Sequence, residues 1–375
     1  MSRAATRIAA GTLVVVLPLA AVAGCGVQRK RTIKAEFAAA STSLQDRRAA
    51  SFTMRLDDTS GAVRRAATKD GSVLQALVAP LLGSSLTYVV DPAGERTLRQ
   101  LRSATSASKA DLTQSLKDVN VAVTARDADG SVAELRIVQG VLYVKVDLAE
   151  ITKLAKAGGA ADVDSKIGRL EQSVPPALKQ AVVDVRAGKW LKIDLASYVN
   201  DVASLAAAVR PGLTKKGSPD LTQLQDLGRR LYAAVRPSVK VVDAGGSSSD
   251  RVLQVTVRAR PAVKAALDVL KASKALPFGP TLLGVSAADI DRELADGAVK
   301  GSASLRDGHL RQVALDLESL RTLDPKAGPD SLAGSRLVVD VNDHAQEVVV
   351  PTDVSSFDPG VFLQDLLKGL GSAGG

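Results

Sequence analysis

The feature that most constrains the fold is a run of alternating residues between Val119 and Val146. Apolar side chains at every second position are typical of strands with one buried face. Two turns interrupt the run, one at 127–130 and one at Gln139-Gly140, and X-Gly pairs between such runs indicate tight hairpins. We therefore predict three consecutive antiparallel strands over 119–125, 132–138 and 141–146.

The same pattern recurs along the chain, with helical stretches inserted between the hairpins. Further strands are predicted at 51–56, 86–90, 190–194, 239–243, 251–259, 299–305, 309–317, 336–341 and 347–350. Apolar stripes with helical spacing predict helices at 34–48, 72–82, 110–117, 147–156, 175–188, 196–209, 218–235, 261–270, 286–289 and after Asp358. Consecutive strands that pair antiparallel predict an α+β fold, with a large curved antiparallel sheet and helices packed on one face.

The N-terminus carries the layout of an export signal. Arg3 and Arg7 precede an uncharged apolar run, which ends in Val22-Ala23-Gly24-Cys25. Cys25 is the only cysteine, so an internal disulfide is excluded. Small residues before this cysteine resemble the lipobox of bacterial lipoproteins, in which the peptidase cuts before the cysteine and the thiol carries a diacylglyceryl group. The resemblance implies a lipid anchor at Cys25 on the outer, extracytoplasmic face of the cell membrane.

Two alternatives for the leader remain open. Cleavage after Ala21-Val22-Ala23 would fit an ordinary A-x-A signal site. The uncharged stretch 8–27 also has about the length of a membrane span. The basic cluster within 29–34 runs against the usual cytoplasmic placement of positive charge, but it could hold an anchored chain against anionic headgroups.

Composition excludes some function classes. The net charge of +9 is modest, and outside 29–34 there is no dense basic run of the kind that nucleic-acid binders carry. One Trp, four Tyr and five Phe provide few stacking platforms for bases or sugars. No nucleic-acid partner is therefore expected. The aliphatic residues would line a cavity suited to acyl chains rather than planar ligands.

The sequence contains no motif that indicates catalysis. It has no G-x-S-x-G elbow, no phosphate-binding G-x-x-x-x-G-K-[ST] loop and no H-E-x-x-H zinc motif. We interpret Asp57-Asp58 as a turn. The stretch 340–343 resembles the opening of a calcium-binding loop, and we interpret it as a hairpin turn. We interpret His309 and His344 as strand-edge or turn residues and Tyr143 as a buried strand residue. We expect no enzyme activity, no catalytic residues, no cofactor and no metal site.

The order of elements resembles the LolA-like lipid-binding lipoproteins of the LppX/LprG type. The residues that carry the resemblance are the strand 51–56, the meander ending in 135–145, the hairpin 239–259 leading into the Pro261 helix, the turn Asp307-Gly308, and a closing hairpin over 337–351. The closing hairpin has His344-Ala345 where the family often has Trp-Gly. The resemblance implies a half-barrel whose concave apolar face, covered by helices, receives the acyl chains of a lipid or lipoprotein.

These observations predict four regions: a signal peptide at 1–24, a tether with a short helix at 25–50, a LolA-like domain at 51–352, and a C-terminal helix and tail at 353–375. Two hypotheses for function stay open. One is a membrane-anchored lipid carrier with an apolar cavity. The other is a structural or interaction lipoprotein, a sensor or scaffold with a filled core. Lipid or lipoprotein cargo is the expected partner of the first.

Overall fold

The computed structural model describes residues 33–58, 61–63, 83–100, 117–157, 165, 168, 176–195, 221–247, 249–272, 286–321, 323 and 332–357. These residues form an α+β fold with one open, mixed and mostly antiparallel sheet of twelve strands. The strand order is β12-β6-β5-β4-β3-β2-β1-β11-β10-β9-β8-β7. The predicted α+β class and its large antiparallel sheet are confirmed.

The strands of the sheet have the following bounds: β1 Ala50–Asp58, β2 Ser84–Pro92, β3 Val119–Asp127, β4 Ser131–Val138, β5 Val141–Val146, β6 Trp190–Asp194, β7 Val239–Gly246, β8 Asp250–Arg258, β9 Ala298–Arg306, β10 His309–Asp316, β11 Ser335–Asn342 and β12 Val354–Ser356. The helices are α1 Ile33–Gln45, α2 Leu148–Ala157, α3 Pro176–Arg186, α4 Leu221–Val235, α5 Ala259–Ala272, α6 Ala287–Glu293 and α7 Leu317–Arg321. A 3-10 turn at Arg236–Ser238 leads from α4 into β7.

The predicted meander is confirmed as β3, β4 and β5. Gln139 and Gly140 both adopt positive φ, at 52° and 82°, which lets β4 reverse into β5 in two residues. At the earlier turn, Asp127 Oδ1 accepts the backbone N–H groups of Asp129 and Gly130, both at 2.9 Å. Local turn chemistry therefore fixes the register of all three strands.

Predicted helix starts are also confirmed. Asp147 Oδ1 accepts the N–H groups of Ala149 and Glu150, at 3.0 and 3.1 Å, and so caps α2. Ser286 and Asp289 form the predicted capping box at α6. The predicted helices at 72–82 and 196–209, most of the one at 110–117 and the C-terminal helix lie outside the described residues.

The described residues divide into two compact units. Unit 1 contains those within Met1–Ser85, Thr97–Ala107 and Pro219–Ala345, and unit 2 those within Leu86–Arg96, Ser108–Ser218 and Gln346–Gly375. In unit 1 the strands β7 to β11 and β1 pair antiparallel. Helices α1 and α5 contribute to a core that includes Leu253 and Val299, which are at most 1% exposed.

Unit 2 is built on the meander. Strand β6 pairs antiparallel with β5, and β12 pairs parallel with β6. Asp91 is buried, and its Oδ2 accepts hydrogen bonds from Asn120 Nδ2 at 3.3 Å and from the Val348 N–H at 3.1 Å. These bonds join three segments that are distant in sequence.

The predicted closing hairpin is wrong in its second half. Residues 347–350 form no strand, although 336–341 forms β11 as predicted. Strand β11 is flanked by β1 and β10, so it has no free edge for a hairpin partner. The segment instead belongs to unit 2, where Val348 donates to Asp91 and the Val349 carbonyl accepts from Arg136 Nη1 at 3.2 Å. The short elements α7 and β12 were not predicted.

Candidate functional site

One face of the unit 2 sheet is aliphatic across four strands. The cross-strand pairs Val121–Ile137, Leu135–Val144 and Leu142–Ile193 place alternate residues of β3, β4, β5 and β6 on the same side. We call this set the β3–β6 aliphatic face. Its members are Val121, Val123, Ala125, Ala133, Leu135, Ile137, Leu142, Val144, Val146, Leu191 and Ile193.

Every residue of the β3–β6 aliphatic face is half-buried. The corresponding core strands of unit 1 differ, because Leu253 in β8 is 0% exposed and its cross-strand partner Ala303 in β9 is 1% exposed. Two sets of similar aliphatic residues therefore have different environments. In unit 1 they form a filled core, and in unit 2 they keep part of their surface in contact with solvent.

The opposite face of the same strands is mixed, with polar side chains beside a buried apolar cluster. Arg136 lies there with its guanidinium carbon 4.7 Å from the centroid of the Trp190 ring and its Nη2 3.1 Å from Glu134 Oε2. Tyr143 is buried on this face, as predicted, in a cluster with Trp190 and Val348. Residues 347–350 pack through Val348 on this mixed face and not on the aliphatic face.

Unit 1 contains a second feature, a group of charged side chains around a buried carboxylate. We call it the Asp343 cluster, and it consists of Arg47, His309, Arg311, Asp343 and His344. The Asp343 side chain is only 2% exposed, and its Oδ1 accepts a 2.7 Å hydrogen bond from Arg311 Nη1. Its Oδ2 lies 3.2 Å from Arg47 Nη2 and 3.2 Å from His309 Nδ1.

Electrostatics keep the buried Asp343 ionised. Burial by itself raises the pKa of Asp343, but the positive charges of Arg311 and Arg47, with a contribution from His344, outweigh it and lower the pKa below its ordinary value. Among the described residues, Asp343 Oδ2 accepts no hydrogen bond of good geometry. The cluster therefore holds one fixed negative charge beneath two guanidinium groups.

Ser43, His309 and Asp343 resemble a nucleophile–base–acid arrangement only in composition. Ser43 Oγ lies 3.4 Å from His309 Nδ1, and Asp343 Oδ2 lies 3.2 Å from the same nitrogen. A catalytic histidine uses one ring nitrogen for the nucleophile and the other for the orienting carboxylate. Here the other nitrogen, Nε2, faces Arg47 Nη2 at 3.4 Å. The geometry does not provide a proton relay from the serine.

An acidic group in unit 2 has the composition of a metal site. Asp127, Asp129 and Glu150 bring one oxygen each to within 4.8 Å of one another. Asp129 pairs closely with Lys153, which also lies 3.3 Å from Glu150. Burial of its carboxyl, followed by the charge of Asp127, raises the pKa of Glu150. Asp127 already accepts the N–H groups of the turn, and Asp129 and Glu150 already contact Lys153. The three carboxylates therefore stabilise the β3–β4 turn and the start of α2.

The remaining predicted site residues have the following places. Val22, Ala23, Gly24 and Cys25 lie outside the described residues. Asp340, from the calcium-like stretch, accepts hydrogen bonds from Arg55 Nε at 3.0 Å and Gln312 Nε2 at 2.7 Å. Asp57 and Asp58 belong to strand β1, so the predicted turn is wrong there. None of the helices in the described ranges is both long enough and apolar enough to cross a bilayer.

Similarity to known proteins does not identify the chain. No protein-family model matches it, and no curated protein shows significant sequence similarity to it. Within the described residues, the β3–β6 aliphatic face and the Asp343 cluster are the two features that bear on function, and the N-terminal sequence adds a third.

Proposed function

We propose that the protein is a lipid-anchored lipoprotein that binds acyl chains on the β3–β6 aliphatic face. The observation that carries this proposal is the half-buried state of the whole face, in contrast to the filled aliphatic core of unit 1. A monomeric protein rarely leaves a continuous aliphatic surface partly exposed unless a ligand or partner uses it. Aliphatic side chains without hydrogen-bonding groups favour hydrocarbon over polar or planar ligands.

Hydrophobic contact would supply the binding energy for an acyl chain on this face. Each methylene removed from water contributes about 0.8 kcal/mol. Roughly ten methylenes lying against the face would contribute about 8 kcal/mol before the cost of ordering the chain is subtracted. The Val, Leu and Ile side chains of the face form no hydrogen bonds with a ligand. The length of the acyl chain, rather than the headgroup, would therefore dominate the affinity for this face.

The anchor is proposed from sequence. Val22-Ala23-Gly24-Cys25 resembles a lipobox, which implies lipidation of Cys25 and attachment to the outer face of the cell membrane. The basic residues that follow, within 29–34, would add about 1 kcal/mol each next to anionic headgroups. Such an anchor would keep the acyl-binding face close to its source of lipid.

The finer assignment, a LolA-like half-barrel with helices on its concave face, is part of the same proposal. Its support is the order of elements: the meander β3 to β5, and the hairpin β7–β8 that leads directly into α5. The closing hairpin, which contributed to the resemblance, does not form.

A scaffold or sensor lipoprotein with a filled core is the second candidate. The observation in its favour is unit 1, where Leu253, Val257 and Val299 are buried to 2% exposure or less. A unit packed in this way has no need of a ligand for stability. This candidate would assign the β3–β6 aliphatic face to a protein partner.

Native mass spectrometry separates the two candidates. The soluble form, residues 26–375, is purified from a lipid-containing host, and the bound material is identified after organic extraction. A lipid retained near one per chain is the expected result. A mass without ligand that stays unchanged after incubation with mixed membrane lipids would contradict the acyl-binding proposal and favour the scaffold.

A further inference from the structure

We propose that the Asp343 cluster in unit 1 is a binding site for a phosphate group. This inference does not depend on acyl binding by unit 2. It starts from the charges: Arg47 and Arg311 both pair with Asp343, so two guanidinium groups face one carboxylate and leave a net charge of +1 before either histidine is protonated. An ion pair that only fastened α1 to the sheet would need one arginine.

The arginines retain donors for a ligand. A guanidinium carries five N–H donors. Within the described part of the chain, Arg311 uses only Nη1, toward Asp343 Oδ1, and the side-chain contacts of Arg47 all involve Nη2. The side chains of Arg47 and Arg311 are 31% and 34% exposed, so a ligand in solution can reach part of each side chain.

The buried carboxylate positions these donors without competing for the ligand. Asp343 is 2% exposed, so an anion at the surface meets guanidinium groups rather than the carboxylate. Planar guanidinium forks match the oxygens of phosphate. The buried acid holds the Arg311 guanidinium by a hydrogen bond and the Arg47 guanidinium by an ion-pair contact, so both are positioned before a ligand binds. His309 and His344, at 29% and 69% exposure, lie beside them and can donate further hydrogen bonds.

The chemistry identifies a phosphate group, which could be inorganic phosphate, a small phosphate monoester or the diester headgroup of a lipid. A simple halide would not use two planar forks. A larger polyanion such as nucleic acid would need a longer run of positive charge than one cluster supplies. The inference is therefore limited to a single phosphate group.

The chain offers an internal reporter, because His309 and His344 are its only histidines. The full chain in non-ionic detergent is titrated with inorganic phosphate, glycerol 3-phosphate and short-chain phosphatidylglycerol, with chloride at matched ionic strength as the control. Imidazole NMR signals are followed, and His344→Gln assigns them. Saturable shifts with all three phosphates indicate a general phosphate site. Shifts with phosphatidylglycerol alone indicate a lipid headgroup.

Variants test the assignment of the donors. Arg47→Gln and Arg311→Gln each leave one guanidinium on Asp343, and each is expected to weaken binding about tenfold. Arg292→Gln is the matched control, since Arg292 is 68% exposed in its own ion pair on α6 and should bind as the wild type does. The inference is overturned if no phosphate shifts either histidine signal, or if Arg47→Gln and Arg311→Gln bind as tightly as the control. Acyl binding, measured with an uncharged monoacylglycerol, should be unchanged in all three variants.

Discussion

The acyl-binding proposal predicts a specific effect of adding hydroxyl groups to the β3–β6 aliphatic face. Val123 in β3 and Val144 in β5 are half-buried members of that face. Threonine has nearly the shape of valine and the same branching at Cβ, so Val123→Thr and Val144→Thr preserve the strands. Each substitution replaces a methyl group that would contact hydrocarbon with a hydroxyl group.

The magnitude follows from the cost of desolvating a hydroxyl group. Burial without a hydrogen-bond partner costs about 1–3 kcal/mol. The low end applies because these positions are only half-buried and the hydroxyl can keep some contact with water. About 1 kcal/mol per site corresponds to roughly a fivefold loss of affinity, and the double variant should lose roughly thirtyfold.

The control is the reverse substitution on the other side of the same strand. Thr124 follows Val123 directly and lies on the opposite face of the strand. Thr124→Val should therefore leave the affinity unchanged. The assay is fluorescence titration with a pyrene-labelled, uncharged monoacylglycerol, and thermal unfolding confirms that the variants fold. If the folded double variant binds as tightly as the wild type, or Thr124→Val weakens binding as much, the aliphatic face is not the binding surface.

Three further predictions concern stability and anchoring. Gly301→Ala should destabilise the fold by about 1–3 kcal/mol in chemical denaturation, because a Cβ there would lie 2.5 Å from a carbonyl oxygen of β10. Gly228→Ala is the control: it lies at an exposed helical position with no neighbouring atom within 4 Å, and it should stabilise the fold by about 0.5–1 kcal/mol. A loss of stability in both variants would contradict this prediction. Because the pKa of Asp343 is lowered in the folded state, its ionised carboxylate stabilises the fold at pH values above the ordinary pKa of aspartate. This stability is lost as the pH falls below about 4. Arg311→Gln should thus cost about 2 kcal/mol at pH 7 and make the free energy of unfolding less dependent on pH between 7 and 3, and an unchanged slope would refute the role of Arg311. Cys25→Ser should move the chain from the membrane fraction to the soluble fraction and abolish labelling by palmitate, while continued membrane association would favour the spanning alternative.

The parts of the fold that the sequence predicted correctly are those fixed by local chemistry. The meander followed from a period of two and from turns such as Gln139-Gly140, where the backbone needs positive φ. The capping box of Ser286 and Asp289 is equally local. The closing hairpin failed because the run of three valines at 348–350 indicates an extended chain but not its neighbour. That neighbour is set by Asp91, more than two hundred residues earlier, which accepts the Val348 N–H.

The Asp343 cluster could not be predicted from sequence for the same reason. His309 and Asp343 are brought together by adjacent strands, and Arg47 follows helix α1 near the start of the domain. No spacing rule relates three positions so far apart. From the sequence, both histidines were predicted to be turn or strand-edge residues. It contained no signal that they share one carboxylate with two arginines.

The contrast between the two units argues that composition alone does not decide between a core and a binding surface. In unit 1, the small residues Ala259 and Ala262 of α5 belong to the same buried cluster as Leu253, which is 0% exposed. The β3–β6 aliphatic face has comparable side chains but remains half-buried. Burial therefore depends on the residues that the packing element presents as well as on those of the strands. Hydrocarbon chains are thin and flexible, so they can fill the remaining contacts of such a face without the backbone hydrogen bonds that a protein partner would bring.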